Sequence, residues 1–146
     1  CPHCRTYPLD VYPTIEEEFL ASGQVRYEHH DLPIPVDERW SWWTASAARG
    51  VQDTVGDEAF YEFAALAFER QSDLSMGTIA EIAETVGADP CAIQTDAANE
   101  SYRPVLETDR SMGQDLGVEG TPSAFVNGQS VPATLDGLRG AIERAL

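Results

Sequence analysis

The sequence predicts an α/β domain whose core is interrupted by a long helical block. Three observations carry this reading. A Cys-x-x-Cys opens the chain at Cys1-Pro2-His3-Cys4. Strand-like stretches occur only around residues 25–30 and 123–131. Between them, residues 37 to about 117 carry helical spacing and no convincing strand.

Residues 1–22 read as an interrupted helix. Pro8 and Pro13 each remove a backbone N–H, so a kink or break is expected there. Thr14-Ile15-Glu16-Glu17 has the form of a capping box that restarts the helix before Phe19 and Leu20, and Gly23 ends it. Val25, Tyr27 and His29 alternate with Arg26, Glu28 and His30, and the strand closes at Pro33 and Pro35.

In the helical block, Trp40, Trp43 and Ala47 share one face, and Phe60, Phe63, Ala67 and Phe68 another. Ile79, Ile82, Ala83 and Val86 are spaced for a helix that stops at Gly87. A long helix starts at Asp89-Pro90, breaks at Pro104 and runs to Leu116, with Gly117 as its cap. Ser123–Val126 then leads through Asn127-Gly128 into Gln129-Ser130-Val131, the signature of a two-residue hairpin. Thr134 caps a final helix with Leu135, Leu138 and Ile142 on one face. Residues 1–36 and 117–146 thus form the core, and 37–116 an inserted helical subdomain of the same structural unit.

Two cysteines separated by two residues either hold zinc or exchange disulfides. Structural zinc needs four ligands, usually as two Cys/His pairs. The further candidates are Cys91, which has no pair partner, and His29 and His30, which are adjacent rather than spaced as a pair. Redox use needs less. The first cysteine sits at a helix start, where unpaired N–H groups and the helix dipole favour a thiolate. Cys1 is then the nucleophile, and Cys4, one turn on, resolves the mixed disulfide. Pro2 suits a first helical position, and His3 can add positive charge beside Cys1. Gly120-Thr121-Pro122, opening the second strand region, tilts the choice towards redox chemistry. Cys91 lies in the first turn after Asp89-Pro90 and reads as a buried structural cysteine, the alternative being a second reactive thiol.

At 146 residues the chain has room for a real core, and no apolar run is long enough to span a membrane. Its formal net charge is −16, and all nine basic residues are arginine. Such acidity excludes nucleic acid as a partner. The acids are scattered, which makes a solvated acidic surface rather than a disordered tail. Acidity without lysine is the expectation for a halophile, where salt screens the self-repulsion, and a halophilic archaeon is the expected source.

The residues from Cys1 to Cys4, the helical insertion, and Gly117-Val118-Glu119-Gly120-Thr121-Pro122-Ser123-Ala124-Phe125-Val126-Asn127-Gly128 together resemble the DsbA-type thiol-disulfide oxidoreductases of the thioredoxin superfamily. The resemblance covers the whole chain. It implies a thioredoxin-like fold, a redox-active Cys1–Cys4 disulfide with no other cofactor and no metal, and catalysis by Cys1, Cys4 and His3. It further implies a cis peptide before Pro122, and substrate binding at Pro2, Thr121 and Pro122 by an added extended segment. Trp42, off the Trp40/Trp43 face, is a candidate for the wall of a peptide groove. Two departures stand out. The strand that leads into the dithiol in this fold is missing from the chain, and with it any buried acid or lysine below the sulfurs. Glu119 also stands three residues before Pro122, where a carboxylate opposes a neighbouring thiolate.

The function implied is exchange of the Cys1–Cys4 disulfide with cysteine-containing proteins, with a membrane or thiol partner that recycles the dithiol. An oxidant of this kind belongs outside the cytoplasm or at the cell surface, and a reductase inside. A reductase or isomerase on the same fold is one alternative. A glutathione-dependent isomerase or transferase is another, although those use a single cysteine or serine and Cys4 is intact. A disulfide kept only as a staple is a third, but so short a loop gives little stability. The charge pattern itself is testable. The midpoint of thermal unfolding should rise between low and molar KCl, and a flat or falling midpoint removes the halophilic reading.

Overall fold

The computed structural model describes residues 1–35 and 37–146, with Pro2 described by its backbone alone. The chain packs as two units, Cys1–His29 with Val118–Leu146, and His30–Gly117. The first boundary falls before residue 36 because Asp31 is tied into the helical unit. Its N–H donates to Asp109 Oδ2 at 2.9 Å, and its carboxylate accepts from Arg49 Nε at 2.6 Å.

The first unit begins with a 3-10 turn, Pro2–Cys4, and a helical stretch of mixed register. Tyr7–Val11 and Glu16–Leu20 are wide π turns flanking α1 (Tyr12–Ile15). Pro8 and Pro13 each sit in the first two positions of their segment, where the missing N–H leaves no bond unmade. The helix therefore changes register instead of breaking. Thr14 lies inside α1, so it does not restart the helix as the sequence had implied. Val11, Ile15 and Phe19 fall on one face and pack with Ala124, Leu138 and Ile142 as this unit's core. Tyr7 and Tyr27 join hydroxyls at 3.3 Å beside this core, and burial pushes the Tyr7 phenol above its ordinary range, a shift the bond to Tyr27 partly offsets.

Residues 25–30 keep the alternating exposure expected of a strand but join no ladder. A strand exists only by hydrogen bonding to a neighbour. Among the described residues the one ladder is β1 (Ala124–Val126) against β2 (Gln129–Val131), antiparallel, with Val126 opposite Gln129. Asn127 and Gly128 have φ of 48° and 79°, as the two central positions of a type I′ turn require. Thr134 caps α7 (Leu135–Ala145) by accepting from the Gly137 N–H at 3.2 Å.

The helical unit is built on α2 (Glu38–Thr54), which packs against α3 (Asp57–Glu69), α5 (Pro90–Asn99) and α6 (Arg103–Asp115). Helix α4 (Met76–Thr85) rests on α3 and α5. Phe60, Phe63, Ile79, Ile82, Ala83 and Val86 are buried, as their spacing predicted. The expected long helix divides earlier than Pro104. It stops at Asn99 because Glu100 takes a left-handed conformation, φ 49°, held by Arg103, whose Nε donates to its carboxylate at 2.6 Å. Pro104 then lies in the first turn of α6, where it costs nothing.

Gly137 illustrates how closely α7 meets the chain that precedes it. A Cβ there would stand 2.5 Å from the Pro132 carbonyl oxygen and 3.0 Å from Thr134 Oγ1. Backbone cannot step aside as a side chain can. Gly137→Ala should lower unfolding stability by about 1–3 kcal/mol, read by chemical denaturation. An unchanged midpoint would show that the cap region is loose.

Candidate active site

Cys1 occupies the N-cap position of the Pro2–Cys4 turn, and the Cys4 N–H donates to its carbonyl at 3.1 Å. This single turn brings the two Cα atoms to 5.3 Å, and the sulfurs are joined as a disulfide. The two sulfurs differ in access. Cys4 is buried at 8 % exposure, while Cys1 is half-buried. An incoming thiolate therefore meets Cys1. Beyond Cys4 the backbone stays right-handed helical at Arg5 and Thr6, so the turn runs on into the helical stretch that forms the core.

The other wall comes from the loop before β1. Thr121 Oγ1 lies 3.1 Å from Cys4 Sγ and 3.4 Å from Cys1 Sγ. A disulfide has no S–H, so the hydroxyl is the donor. The Thr121 carbonyl oxygen lies 3.7 Å from Cys1 Sγ, where a reduced thiol can donate to it. The Thr121–Pro122 peptide is cis. Ser123 Oγ donates to the Gly120 carbonyl at 2.6 Å and closes the loop just before Ala124 enters β1. Hairpin, loop and first helix are thus one packed body, whose two chain segments meet at the dithiol and Thr121 and again where Arg139 donates to the Glu18 carboxylate at 2.8 and 2.6 Å.

The sequence-derived candidates fall into three groups. Cys1, Cys4 and Thr121 are brought together, with Pro122 next in the chain and half-buried. His3 is exposed on the dithiol turn, and Glu119 is exposed on the loop. The Pro2 side chain, also expected to meet substrate, lies outside the described residues. Trp42 is a correction. It is 5 % exposed and covered by the Arg103 guanidinium, 4.1 Å from the ring centroid, with Arg110 at 6.0 Å. An indole so enclosed offers a substrate almost no surface. The single-face reading failed because α2 is packed by several helices, so Trp42 and Ser46 are buried as well as Ala47. Trp40 and Trp43 are only partly buried and meet edge to face at 5.4 Å.

Cys91 is also a correction. It lies in the first turn of α5 as expected, but it is exposed and free. An N-terminal turn can leave its early positions facing water, and the sequence offered no way to tell which. Among the described residues, no group of three or more His, Cys, Asp or Glu side chains is placed to hold a metal ion.

One polar cluster went unread in the sequence. Arg49 reaches Asp31 at 2.6 Å and Asp109 at 3.2 Å, and Asp109 also meets His30 Nδ1 at 3.0 Å. Arg49, Asp31 and Asp109 are nearly enclosed, so each charge needs its partner. Arg49 also lies over the Phe60 ring at 5.0 Å. A signal existed: an arginine set among Ala47, Ala48, Gly50 and Val51 on α2.

A family model described as thioredoxin matches residues 1–144. Disulfide bond formation protein D of Bacillus subtilis is 24 % identical over 154 residues, covering all of this chain and 68 % of that protein. The probable disulfide bond formation protein D of Bacillus cereus is 24 % identical over 155 residues, covering all of this chain and 69 % of its own length. Among solved structures, oxidised BdbD from Bacillus subtilis matches with a TM-score of 0.87 at 22 % identity, covering 99 % of this chain and 80 % of that one. The thiol-disulfide exchange protein alpha-DsbA2 from Wolbachia pipientis matches with a TM-score of 0.81 at 24 % identity, covering 100 % and 76 %. Both likenesses show a shared fold.

The Thr121 hydroxyl gives this site a specific test. A hydroxyl donating to a thiolate is a charge-assisted bond, the stronger kind. In reduced Thr121→Val, alkylation of Cys1 near pH 6 should slow by about three- to tenfold: losing the bond costs the thiolate roughly 1.5–3 kcal/mol, and the greater nucleophilicity of a less stabilised thiolate returns about half of that. Wild-type alkylation rates in the variant would show that the hydroxyl does not serve the sulfur.

Proposed function

The chain belongs to the thioredoxin family, and from that footing we propose that it is a disulfide donor, a thiol-disulfide oxidoreductase that passes the Cys1–Cys4 disulfide to cysteine pairs of other proteins. The observation that carries this is the site itself: a disulfide closed over one helical turn, one sulfur accessible and one buried, with a hydroxyl in reach of both. The names of the relatives, disulfide bond formation proteins, support the donating direction.

The reaction runs in two exchanges. A substrate thiolate attacks Cys1 Sγ, the accessible sulfur, forming a mixed disulfide and expelling Cys4 as a thiolate. Thr121 Oγ1, 3.1 Å from Cys4 Sγ, is placed to donate to that leaving group. The second substrate thiolate attacks the substrate sulfur of the mixed disulfide. The substrate leaves oxidised, and Cys1 leaves as a thiolate. The substrate loses two electrons and two protons; both electrons pass to the dithiol, and the protons pass to solvent, from which the Cys4 and Cys1 thiolates are reprotonated as their basicity allows. The departing Cys1 thiolate stands at the N-terminal end of the helical turn with the Thr121 hydroxyl 3.4 Å away, and both favour the anion. A thiolate favoured in this way is a good leaving group, which drives the disulfide onto the substrate.

A substrate segment lies along the Thr121-Pro122 loop, whose carbonyl already faces Cys1. A membrane or thiol partner returns the dithiol to the disulfide. The protein works outside the cytoplasm or at the cell surface, where a disulfide donor is not drained by the reducing pool.

Two variants test the roles. Cys4→Ser should trap a mixed disulfide between Cys1 and a reduced protein substrate, visible on a non-reducing gel, while Cys1→Ser should trap none. Cys91→Ala should keep peptide oxidation within a few fold of wild type. Trapping through Cys4, or loss of most activity without Cys91, would reverse the assignment.

A further inference from the structure

The dithiol turn is a cationic stretch in a chain of net charge −16. From Cys1 to Leu9 the only ionisable side chains besides the cysteines and Tyr7 are His3 and Arg5, and no acid occurs before Asp10. Arg5 is exposed, and its φ and ψ of −60° and −40° continue the right-handed turn beyond Cys4. On a 3-10 turn side chains three apart eclipse, so Cys1 and Cys4 share a face and Arg5 is the residue that follows it. Arg5 is therefore the first exposed side chain after the disulfide, at the edge of the turn that carries the sulfur a substrate meets first.

The other surface arginines show what this chain does with a guanidinium. Arg26 pairs with Glu28, Arg70 with Glu81, Arg103 with Glu107 and Arg139 with Glu18. Arg39 and Arg110 lie over tryptophan rings. Among the described residues Arg144 meets no carboxylate, but it sits in the last turn of α7, where a cation meets the helix dipole. Arg5 has neither kind of partner among the described residues, in a chain with 25 carboxylates to choose from. It also sits at the opening end of its helical stretch, where the dipole does not favour a cation.

We propose that Arg5 is a specificity-determining residue that takes its carboxylate from the substrate: an Asp or Glu beside the cysteine pair being oxidised. This rests on the disulfide-donor reading and names its substrate class. The guanidinium fork matches a carboxylate in two parallel hydrogen bonds, so it reads an acidic flank and not merely a negative field. Glu119, exposed on the loop side, repels the same carboxylate. An acidic flank that meets Arg5 is thus favoured, and one that meets Glu119 is not.

The test uses short dithiol peptides that differ only in flanking residues: Glu before the cysteines, Glu after them, or Gln at both places. Oxidised protein is mixed with reduced peptide at one KCl concentration at which wild type and variants are shown folded by circular dichroism. One of the two Glu placements should be oxidised about two- to fivefold faster than the Gln peptide, the range of an exposed ion pair. That ratio should fall to about one in Arg5→Gln, drop below one in Arg5→Glu and return only in part in Arg5→Lys, which keeps the charge without the fork. A ratio near one for both placements in the wild type overturns the proposal. So does a ratio that survives in Arg5→Gln while all peptides slow together, because Arg5 would then act on the sulfur. Failure of the wild type to oxidise even the Gln peptide would instead sink the donor reading, and this proposal with it.

Discussion

Thr121 reaches the two sulfurs from 117 residues further along the chain, and the chemistry of the dithiol depends on that contact being held. A Cys-x-x-Cys turn alone offers a helix start and two thiols. What distinguishes the pair here is a hydroxyl within 3.4 Å of both sulfurs and a carbonyl facing the accessible one. Neither belongs to the turn. Both are delivered by a loop that owes its position to the β1–β2 hairpin and to α7, and these pack Ala124, Leu138 and Ile142 against Val11, Ile15 and Phe19. A loss of packing in that small core would be felt at the sulfurs before it was felt in the fold at large.

The mixed register of the first helix follows from the same demand. Prolines at positions 8 and 13 would break a regular α-helix, because each lacks a donor and crowds the preceding turn. Wide turns on either side of α1 let the backbone pass both and still return Val11, Ile15 and Phe19 to one face. The first of these wide turns, Tyr7–Val11, joins the dithiol turn to the core residues Val11 and Ile15.

Local signals in the sequence were legible where a single residue type has few uses. Asn127-Gly128, Thr134, Asp89 and the apolar spacing of α3 and α4 all lead to the elements the structure contains. Cys1, Cys4 and Thr121 were legible as a site because few other arrangements use all three. What escaped depends on partners that spacing does not reveal. Residues 25–30 alternate like a strand yet join no ladder, since alternation reports which side is buried and not whether a neighbour exists. Trp42 was misjudged because a helix contacted from several directions has no single buried face. The break at Glu100 was misplaced because its left-handed turn is carried by a glutamate held by Arg103, where glycine would have announced it. The Arg49, Asp31 and Asp109 cluster joins residues far apart in sequence, and only the packed unit shows that their charges answer one another.

The exposure of Cys91 has a practical side. While Cys1 and Cys4 are joined, the chain has a single free thiol, and it stands in water on α5. A maleimide dye or nitroxide added to the oxidised protein therefore goes to one known position, with no engineered cysteine and no variant to validate. Reduction then unmasks the other two thiols for a second, different label. The natural sequence is already a doubly addressable probe, with one handle in the helical unit and the other at the dithiol.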